Sequence, residues 1–303
     1  MQYFPLFIDT CDLNVLIIGA GEVASRKIEL LQRSQANIHV IALEVCEAVR
    51  VFEAQAKVSI EQRAITDKDI QGWDLIYIAT ADEALNVRLA NRAKANNIFV
   101  NVVDSPEYCR FITPSIIDRN KLQVAISTAG AAPVFARELR GRLESWLPQS
   151  LSPLFDFVAE KRVEVQEKLS SFKDRRLFWE RFFALNGDKF DSQTQACFEQ
   201  AYGSLAVEGE ILLIDDETQI DLLPIIALPL LQKIDTVYAQ CPLPTSLMEL
   251  VRRDAERANL LPFSQLEQHY EQGERCLIYA SKSVVVKLQA HFPFAKYLRP
   301  GAI

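Results

Sequence analysis

Asn14–Ser34 reads NVLIIGAGEVASRKIELLQRS and contains the pattern that decides the fold. Its apolar beginning predicts a buried strand, and the segment from Val23 onward predicts an amphipathic helix. Between them, Gly19, Gly21 and Ala24 match the GxGxxG/A turn that joins strand to helix in dinucleotide-binding domains. Glycine lets the backbone approach a pyrophosphate, and a helix N-terminus offers unpaired N–H groups and a positive dipole end. The stretch predicts the first βα unit of a Rossmann domain that binds a nicotinamide dinucleotide; a turn that merely contains two glycines is the alternative.

Short apolar runs alternate with amphipathic stretches from Asn14 to Val103, which is typical of βαβ units and a parallel sheet. Beyond Pro106, FITPSIIDRN and KLQVAIST predict a hairpin that turns near Asn120, and helices follow from Pro133. Glu210–Asp215 (EILLID) predicts the first strand of another α/β unit. We therefore expect an α/β protein with a Rossmann-type parallel sheet, a hairpin and helical region, and a small C-terminal α/β part.

The bulk properties exclude several classes of protein. The chain has 303 residues, a net charge of −7 and a sequence pI near 5.2, so it lacks the positive field that attracts nucleic acid or anionic lipid. Six scattered cysteines form no CxxC pair and predict reduced thiols rather than a metal site. No apolar run reaches the roughly 20 residues that cross a bilayer, and the first residues do not resemble a secretory signal. We expect a cytoplasmic protein with neither nucleic acid nor membrane as partner.

An acid about twenty residues after the glycine turn usually accepts hydrogen bonds from the adenine ribose. Here the second strand ends at Ile41–Leu43, and Glu44 comes next, slightly late for that position. Glu44 is either a ribose ligand or the first-turn acid of the following helix. No arginine stands there to bind a 2′-phosphate, so the sequence favours NAD over NADP.

Asp104 follows the strand IFVNVV, at the sheet edge where open α/β sheets bind their ligands. A carboxylate beside a bound dinucleotide can act as a general base. An aspartate before Ser105 and Pro106 can equally cap a turn, and the residues alone leave both interpretations open.

Two long segments resemble a known family. FPLFIDTCDLNVLIIGAGEVASRKIELL and NVVDSPEYCRFITPSIIDRNKLQVAISTAGAAPVFARELRGRLESWLP are similar to the siroheme synthases, in their precorrin-2 dehydrogenase and sirohydrochlorin ferrochelatase module. The likeness covers roughly residues 1–205. It implies that NAD oxidises precorrin-2 to sirohydrochlorin and that Fe²⁺, as a substrate, is then inserted to give siroheme. It also implies a homodimer formed through the hairpin and helical segment.

The resemblance assigns roles to individual residues. The family's catalytic aspartate corresponds to Asp104, which would act as general base in both steps, and no residue is expected to be a metal ligand. The remaining candidates contact either the dinucleotide or the carboxylate-rich tetrapyrrole. We expect the dinucleotide to be contacted by Gly19, Gly21, Glu22, Val23, Leu43 and Glu44, and the substrate by Ser127, Thr128, Arg119 and Arg137. Taken singly, each of these arginines fits a surface or dimer-contact residue better. We expect four parts: an NAD-binding domain (1–112), a dimerisation hairpin and helix (113–148), a helical domain (149–206) and a C-terminal domain (207–303).

The C-terminal part resembles the start of the methyltransferase domain of trifunctional relatives, most clearly at Leu250–Arg257 (LVRRDAER). That domain opens with a glycine-rich loop after its first strand, whereas Asp215, Asp216, Glu217 and Thr218 stand here. About half of the domain is also missing before Ile303. We therefore expect residues 207–303 to be a degenerate methyltransferase-like domain without transferase activity.

Two other functions compete with the bifunctional enzyme. One is a non-catalytic NAD-sensing module, which also begins with a GxGxxG turn but has no need of the PSIIDR hairpin. The other is a dehydrogenase without chelatase activity, because iron insertion has no distinct ligand motif in the sequence.

Overall fold

The structure is a computed structural model and describes residues 2–203 and 209–301. The described residues form two compact units. The N-terminal unit contains residues 2–164 and 188–191, and the C-terminal unit contains residues 165–187, 192–203 and 209–301. The predicted boundary between residues 206 and 207 lies outside the described residues, and the division into four parts remains a proposal.

The N-terminal unit begins with alternating strands and helices. They are β1 (Asn14–Ala20), α1 (Glu22–Leu31), β2 (Asn37–Val45), α2 (Glu47–Ala54), β3 (Ser59–Gln62), β4 (Leu75–Ile78), α3 (Glu83–Ala95) and β5 (Phe99–Val102). All five strands are parallel, in the order β3-β2-β1-β4-β5. The order reverses between β1 and β4, which is where doubly wound sheets bind ligands. The predicted Rossmann-type sheet is confirmed.

Both faces of this sheet are buried, as a parallel sheet requires. Val15 and Ile17 of β1 pack on the face that Ala24 and Ile28 of α1 cover. Leu16 and Ile18 point to the opposite face, which α3 covers. A continuous apolar run, rather than an alternating one, therefore forms β1.

The rest of the N-terminal unit departs from the βα pattern. It comprises the antiparallel pair β6 (Ser115–Arg119) and β7 (Leu122–Ile126), followed by α4 (Pro133–Trp146) and most of α5 (Leu151–Lys168). The hairpin turns at Asn120, whose backbone is left-handed (φ 59°) and whose N–H is bonded to the Asp118 carboxylate at 2.9 Å. The predicted hairpin and the helices after Pro133 are confirmed.

The C-terminal unit contains a second set of helices and strands. In chain order they are α6 (Phe172–Asn186), α7 (Thr194–Ala201), β8 (Glu210–Asp215), α8 (Ala227–Leu231), β9 (Thr236–Ala239), α9 (Thr245–Leu250), β10 (Glu256–Asn259), α10 (Phe263–Glu271), β11 (Arg275–Ala280), α11 (Lys282–His291) and β12 (Lys296–Tyr297). The strands form a second parallel sheet in the order β10-β9-β11-β8-β12. Apolar side chains fill both faces of this sheet too. The helices α6 and α7 belong to this unit, and α6 contributes Arg176, which pairs with Asp235, and Glu180, 2.8 Å from Arg275.

Among the described residues, no helix combines the length and the apolar character that a membrane crossing requires.

Gly19→Ala should destabilise the protein by at least about 2 kcal/mol, because alanine would have to adopt a strained left-handed backbone against a carbonyl group. Gly19 has a φ of 99°, and a Cβ there would lie 2.4 Å from the carbonyl oxygen of Ala79. Urea unfolding measures the change. Gly21→Ala is the matched control: no atom lies within 4 Å of its Cβ position, so the loss should stay below about 1 kcal/mol. Equal losses for the two variants would contradict this account.

Candidate functional site

The turn after β1 leaves the start of α1 open. Gly21 is the N-cap residue of α1, and no side chain caps the helix there. Space beside Gly21 is free, whereas Ala24, three residues on, is fully buried. The first-turn N–H groups thus lack a side-chain acceptor at the positive end of the helix dipole. These residues fit a bound pyrophosphate, which would supply the missing acceptors.

A bulge on β2 lies opposite Gly19. The strands pair at Ile18 with Ile41 and again at Ala20 with Val45, so one residue of β1 faces three of β2. Of the three residues Ala42 to Glu44, Ala42 is buried, whereas Leu43 is 69% exposed and Glu44 is exposed too. Bulges redirect side chains at the edges of sites. Leu43 and Glu44 are thereby presented beside the glycine turn.

One of the two interpretations of Glu44 is wrong. Strand β2 runs to Val45 and α2 begins at Glu47, so Glu47 is the first-turn acid of the helix. Glu44 belongs to the bulge, and the ribose role stays a prediction.

An arginine lies close to this bulge, although no arginine follows β2 directly in the sequence. The Arg50 guanidinium donates to Gln62 Oε1 at 3.1 Å, and Gln62 Nε2 donates to the Leu43 carbonyl at 3.1 Å. These bonds give Arg50 a role in supporting the bulge.

Asp104 is exposed just beyond the end of β5, in a turn with φ 57°. Within residues 2–203 and 209–301, its carboxylate accepts no hydrogen bond and forms no ion pair, so it does not cap its own turn. Aspartate tolerates the left-handed conformation better than most residues do. The structure thus holds an exposed, unused carboxylate at the carboxyl edge of the sheet.

Cys109 and Asn101 hold the turn that carries Asp104. The Cys109 sulfur accepts a hydrogen bond from the Val102 N–H at 3.2 Å and lies 3.4 Å from the Ser105 carbonyl oxygen. Burial raises the pKa of the Cys109 thiol, which therefore keeps its proton at neutral pH. Asn101 is buried and donates to the Phe111 carbonyl at 3.0 Å. No sequence motif predicts the roles of Cys109 and Asn101, because their hydrogen-bond partners come together only when the turn folds.

Lys27 of α1 is a further residue that no motif singled out. Its ammonium lies 5.5 Å from the centre of the Tyr77 ring and interacts electrostatically with Cys109 and Asp104. Burial lowers the pKa of Lys27, and the attraction of Cys109 and Asp104 partly offsets this.

The four candidate substrate residues differ in what their side chains do. Arg119 is buried, and its guanidinium is bonded to Glu144 Oε2 at 2.6 Å and to the Leu147 carbonyl at 3.0 Å. These contacts anchor β6 to the end of α4, which is a structural role. Arg137 is exposed on α4, and among the described residues it forms no ion pair.

Ser127 and Thr128 shape the loop between β7 and α4. Ser127 Oγ accepts from the Ala129 N–H at 3.0 Å, and Thr128 Oγ1 accepts from the Ala132 N–H at 3.1 Å. Each hydroxyl keeps its own proton for donation to a ligand.

The corresponding edge of the C-terminal sheet is closed by its own side chains. Asp215 ends β8, is buried, and accepts hydrogen bonds from Thr218 Oγ1 at 2.6 Å, from the Glu217 N–H at 3.1 Å and from the Tyr297 hydroxyl. Burial acts to raise the pKa of Asp215, but these hydrogen bonds outweigh it and lower the pKa. The carboxylate is thus held ionised by the protein itself.

The next two acids are also occupied. Asp216 Oδ1 accepts from the backbone N–H of Lys282 at 3.0 Å, at the start of α11. Glu217 pairs with the Lys282 ammonium at 2.6 Å. The helix N-terminus that would face a cofactor at this edge is therefore already capped by a carboxylate.

Three family models match consecutive parts of the chain. Residues 6–115 match a family described as putative NAD(P)-binding. Residues 119–145 match the sirohaem biosynthesis protein central family, and residues 150–197 match the sirohaem synthase dimerisation region.

Curated relatives extend the likeness further along the chain. A siroheme synthase of Pseudoalteromonas atlantica is 41% identical over 85% of this chain and 58% of its own length. One of Nitrosococcus oceani is 35% identical over 85% of this chain and 57% of its own length. About 15% of this chain, or about 45 residues, lies outside this alignment. Because 106 residues follow residue 197, where the last family match ends, the alignment includes part of them. The chain spans a little over half the length of these relatives.

A solved structure, that of the precorrin-2 dehydrogenase SirC, has a related fold. It matches with a TM-score of 0.57 and 22% identity, covering 67% of this chain and all of its own.

Glu44→Ala should weaken NAD binding about 10-fold or more, because a charge-assisted hydrogen bond to the ribose would be lost. Isothermal titration with NAD measures the change. Glu47→Ala, which removes the exposed acid three residues away, should leave NAD affinity within twofold of wild type. Equal losses would mean that Glu44 contributes only net charge, and an unchanged affinity in both variants would remove Glu44 from the site.

Proposed function

We propose that this chain oxidises precorrin-2 with NAD and inserts ferrous iron into the product. The chain belongs to the siroheme synthase family over the residues that the three family models match. The first reaction converts precorrin-2 and NAD⁺ into sirohydrochlorin, NADH and a proton. The second converts sirohydrochlorin and Fe²⁺ into siroheme and two protons. The exposed carboxylate of Asp104, which has neither a hydrogen bond nor an ion pair within the described residues and lies at the same sheet edge as the open glycine turn, carries this proposal.

Each residue of the turn contributes to cofactor binding in a definite way. The N–H groups at the start of α1 bind the pyrophosphate, Gly19 allows the close passage of the chain, and Glu44 accepts hydrogen bonds from the ribose. Val23 and Leu43 are exposed apolar side chains beside Gly21 and Glu44 that suit an adenine ring; Glu22, at the first position of α1, completes the set. When bound, NAD accepts the hydride.

Asp104 removes the protons. Loss of a hydride from the substrate must be accompanied by loss of a proton, and a carboxylate with no internal partner is available to accept it. Iron insertion displaces two pyrrole N–H protons, which the same carboxylate can pass to water. The macrocycle supplies four nitrogen ligands to the iron, so the protein need not supply a cluster of its own; the described residues contain no group of three or more potential ligands.

The loop and helix after the hairpin are the proposed contacts for the substrate carboxylates. Ser127 and Thr128 each retain a hydroxyl proton, and Arg137 has an exposed guanidinium without an ion-pair partner in the described part of the chain. Arg119 is omitted from this proposal because its guanidinium already binds Glu144 and Leu147.

We include a homodimer in the proposal. The match of residues 150–197 to a dimerisation region supports it. The side chains of Val134, Phe135 and Trp146 on α4 are each more than half exposed, as expected of a surface that a partner covers. A cytoplasmic location also belongs to the proposal, supported by six free cysteines.

Asp104→Asn should slow both reactions by about 10²- to 10⁴-fold, because the amide cannot accept a proton. Asparagine tolerates the left-handed backbone at this position, so the fold and NAD affinity should not change. Anaerobic absorbance spectroscopy measures the rates: precorrin-2 and NAD are mixed first, and Fe²⁺ is added after sirohydrochlorin has formed.

Glu107→Gln is the matched control, since it removes an exposed carboxylate three residues from Asp104. It should react at the wild-type rate in both stages. Normal rates for Asp104→Asn would refute the general-base role. If the wild-type protein oxidises precorrin-2 but does not insert the metal, it is a dehydrogenase without chelatase activity. If it performs neither reaction but still binds NAD, a sensing module is favoured.

The C-terminal unit should not bind S-adenosylmethionine at the edge beyond β8. Isothermal titration should show no binding heat for this ligand, while NAD titrated into the same sample gives a signal. Tight S-adenosylmethionine binding would contradict the closed arrangement around Asp215.

Asp215→Asn should lower the stability of the C-terminal unit at pH 7 by about 1–3 kcal/mol, because a buried hydrogen-bonded carboxylate is lost. The pKa of Asp215 is lowered by folding, so its contribution is complete above the ordinary carboxyl pKa and disappears as the pH falls through the lowered value. The difference between variant and wild type in urea unfolding should therefore shrink in acid. A difference that grows in acid would contradict this assignment.

A further inference from the structure

A partly buried lysine, Lys27, lies on α1 over the Tyr77 ring, and within the described residues it has no anion bonded to it. Ala24 and Ile28 of this helix are fully buried in the core, and Lys27 lies three residues after one and next to the other. Helical spacing therefore places Lys27 along the apolar stripe, where a charged residue is costly unless it is paired. Within the described part of the chain, its ammonium donates no hydrogen bond and forms no ion pair.

The side chains around the Lys27 ammonium are held in place by contacts of their own. The Tyr77 ring, 5.5 Å away, is itself fixed by a hydrogen bond between its hydroxyl and Thr113 Oγ1 at 3.1 Å and by edge contact with Phe111. The charged and titratable groups that face the ammonium are Tyr77, Cys109 and Asp104. Tyr77 and Cys109 are neutral at pH 7, since burial raises the pKa of each.

A half-buried cation with no bonded anion is a binding position for a carboxylate. A charge-assisted hydrogen bond is about twice as strong as a neutral one, and partial burial protects it from competing water. The cofactor's phosphates are a less suitable occupant, because their N–H donors are in the first turn of α1, one turn before Lys27. The Lys27 ammonium instead lies over Tyr77 of β4, the strand next to β1 at the switch point, and is attracted by the Asp104 carboxylate.

We propose that Lys27 is a substrate-positioning residue, whose ammonium binds one carboxylate of the tetrapyrrole and so holds a reacting position of the macrocycle against Asp104. The inference rests on the proposed tetrapyrrole chemistry and adds to it the group that orients the substrate. Lys27 moves no proton and receives no hydride; it acts through the position that it gives the substrate.

Lys27→Met tests the proposal, because methionine suits an apolar stripe and preserves the packing. The KM for precorrin-2 should rise about 10- to 100-fold. The kcat should change by less than about threefold, and the KM for NAD by less than twofold. The Tm should not fall, since the variant removes an unpaired, partly buried charge. Arg26→Met removes the neighbouring exposed cation of the same helix and should behave as wild type.

Two further readouts separate positioning from a structural role. Equilibrium binding of uroporphyrin III, a stable tetrapyrrole with eight carboxylates, should weaken about 10- to 100-fold in Lys27→Met and recover in part in Lys27→Arg. In wild type, the KM for precorrin-2 should rise at alkaline pH as Lys27 loses its proton. Lys27→Arg should flatten that rise, because guanidinium stays charged.

Different results would overturn the role of Lys27 and the proposed function. Unchanged KM and uroporphyrin binding in Lys27→Met, with an active wild type, would overturn the role of Lys27 alone. A fall in kcat at constant KM would show that Lys27 acts on Asp104 and not on the substrate, and a rise in the KM for NAD would make it a cofactor contact; either result overturns the proposal. A wild type that neither oxidises precorrin-2 nor binds uroporphyrin would refute the proposed function itself.

Discussion

The close approach of Gly19, at the end of β1, to Ala79, just after β4, is the constraint on which the candidate site depends. The backbone at Gly19 approaches the Ala79 carbonyl so closely that a Cβ would lie 2.4 Å from its oxygen. The Ala79 N–H donates to the Ile18 carbonyl at 2.8 Å, which fixes the two strand ends together. This contact sets the point at which the chain leaves the sheet and starts α1. An open helix N-terminus over the switch point follows from it.

The bulge on β2 lies opposite the same glycine. The pairing of β1 with β2 is interrupted at Gly19 and resumes only at Ala20, after three residues of β2 have passed. Leu43 and Glu44 are exposed by that interruption. The turn proposed for the dinucleotide is thus shaped by strand geometry first and by side-chain chemistry second. The bulge explains how an acid that comes late in the sequence can still lie beside the glycine turn.

Local patterns predicted the elements well, since strand runs, helical periodicity and the glycine turn are short-range signals. Gly19, Asp104 and the hairpin turn at Asn120 were all identified in this way. Long-range pairing was not predictable. Arg119 was a reasonable substrate contact until the fold brought Glu144 and the Leu147 carbonyl, 25 and 28 residues away, to its guanidinium. The partners of Lys27 likewise come from β4 and from beyond β5, and no pattern in α1 indicates them.

The two sheets differ in the turn at the carboxyl edge more than in the fold. Each unit has a parallel sheet, a first strand that ends at the carboxyl edge, and a helix whose N-terminus reaches that edge. In the N-terminal unit the turn contains glycines, and no side chain caps the start of α1, which leaves room for an external anion. In the C-terminal unit Asp215 and Asp216 supply the anions, and Tyr297, Thr218 and the Lys282 N–H bind them from within. An internal carboxylate occupies the same electrostatic position that a ligand would, and it does so without the loss of translational freedom that binding entails. The carboxyl edge beyond β8 is therefore filled by the protein itself, whereas the edge at Gly19 leaves the start of α1 open to an external anion.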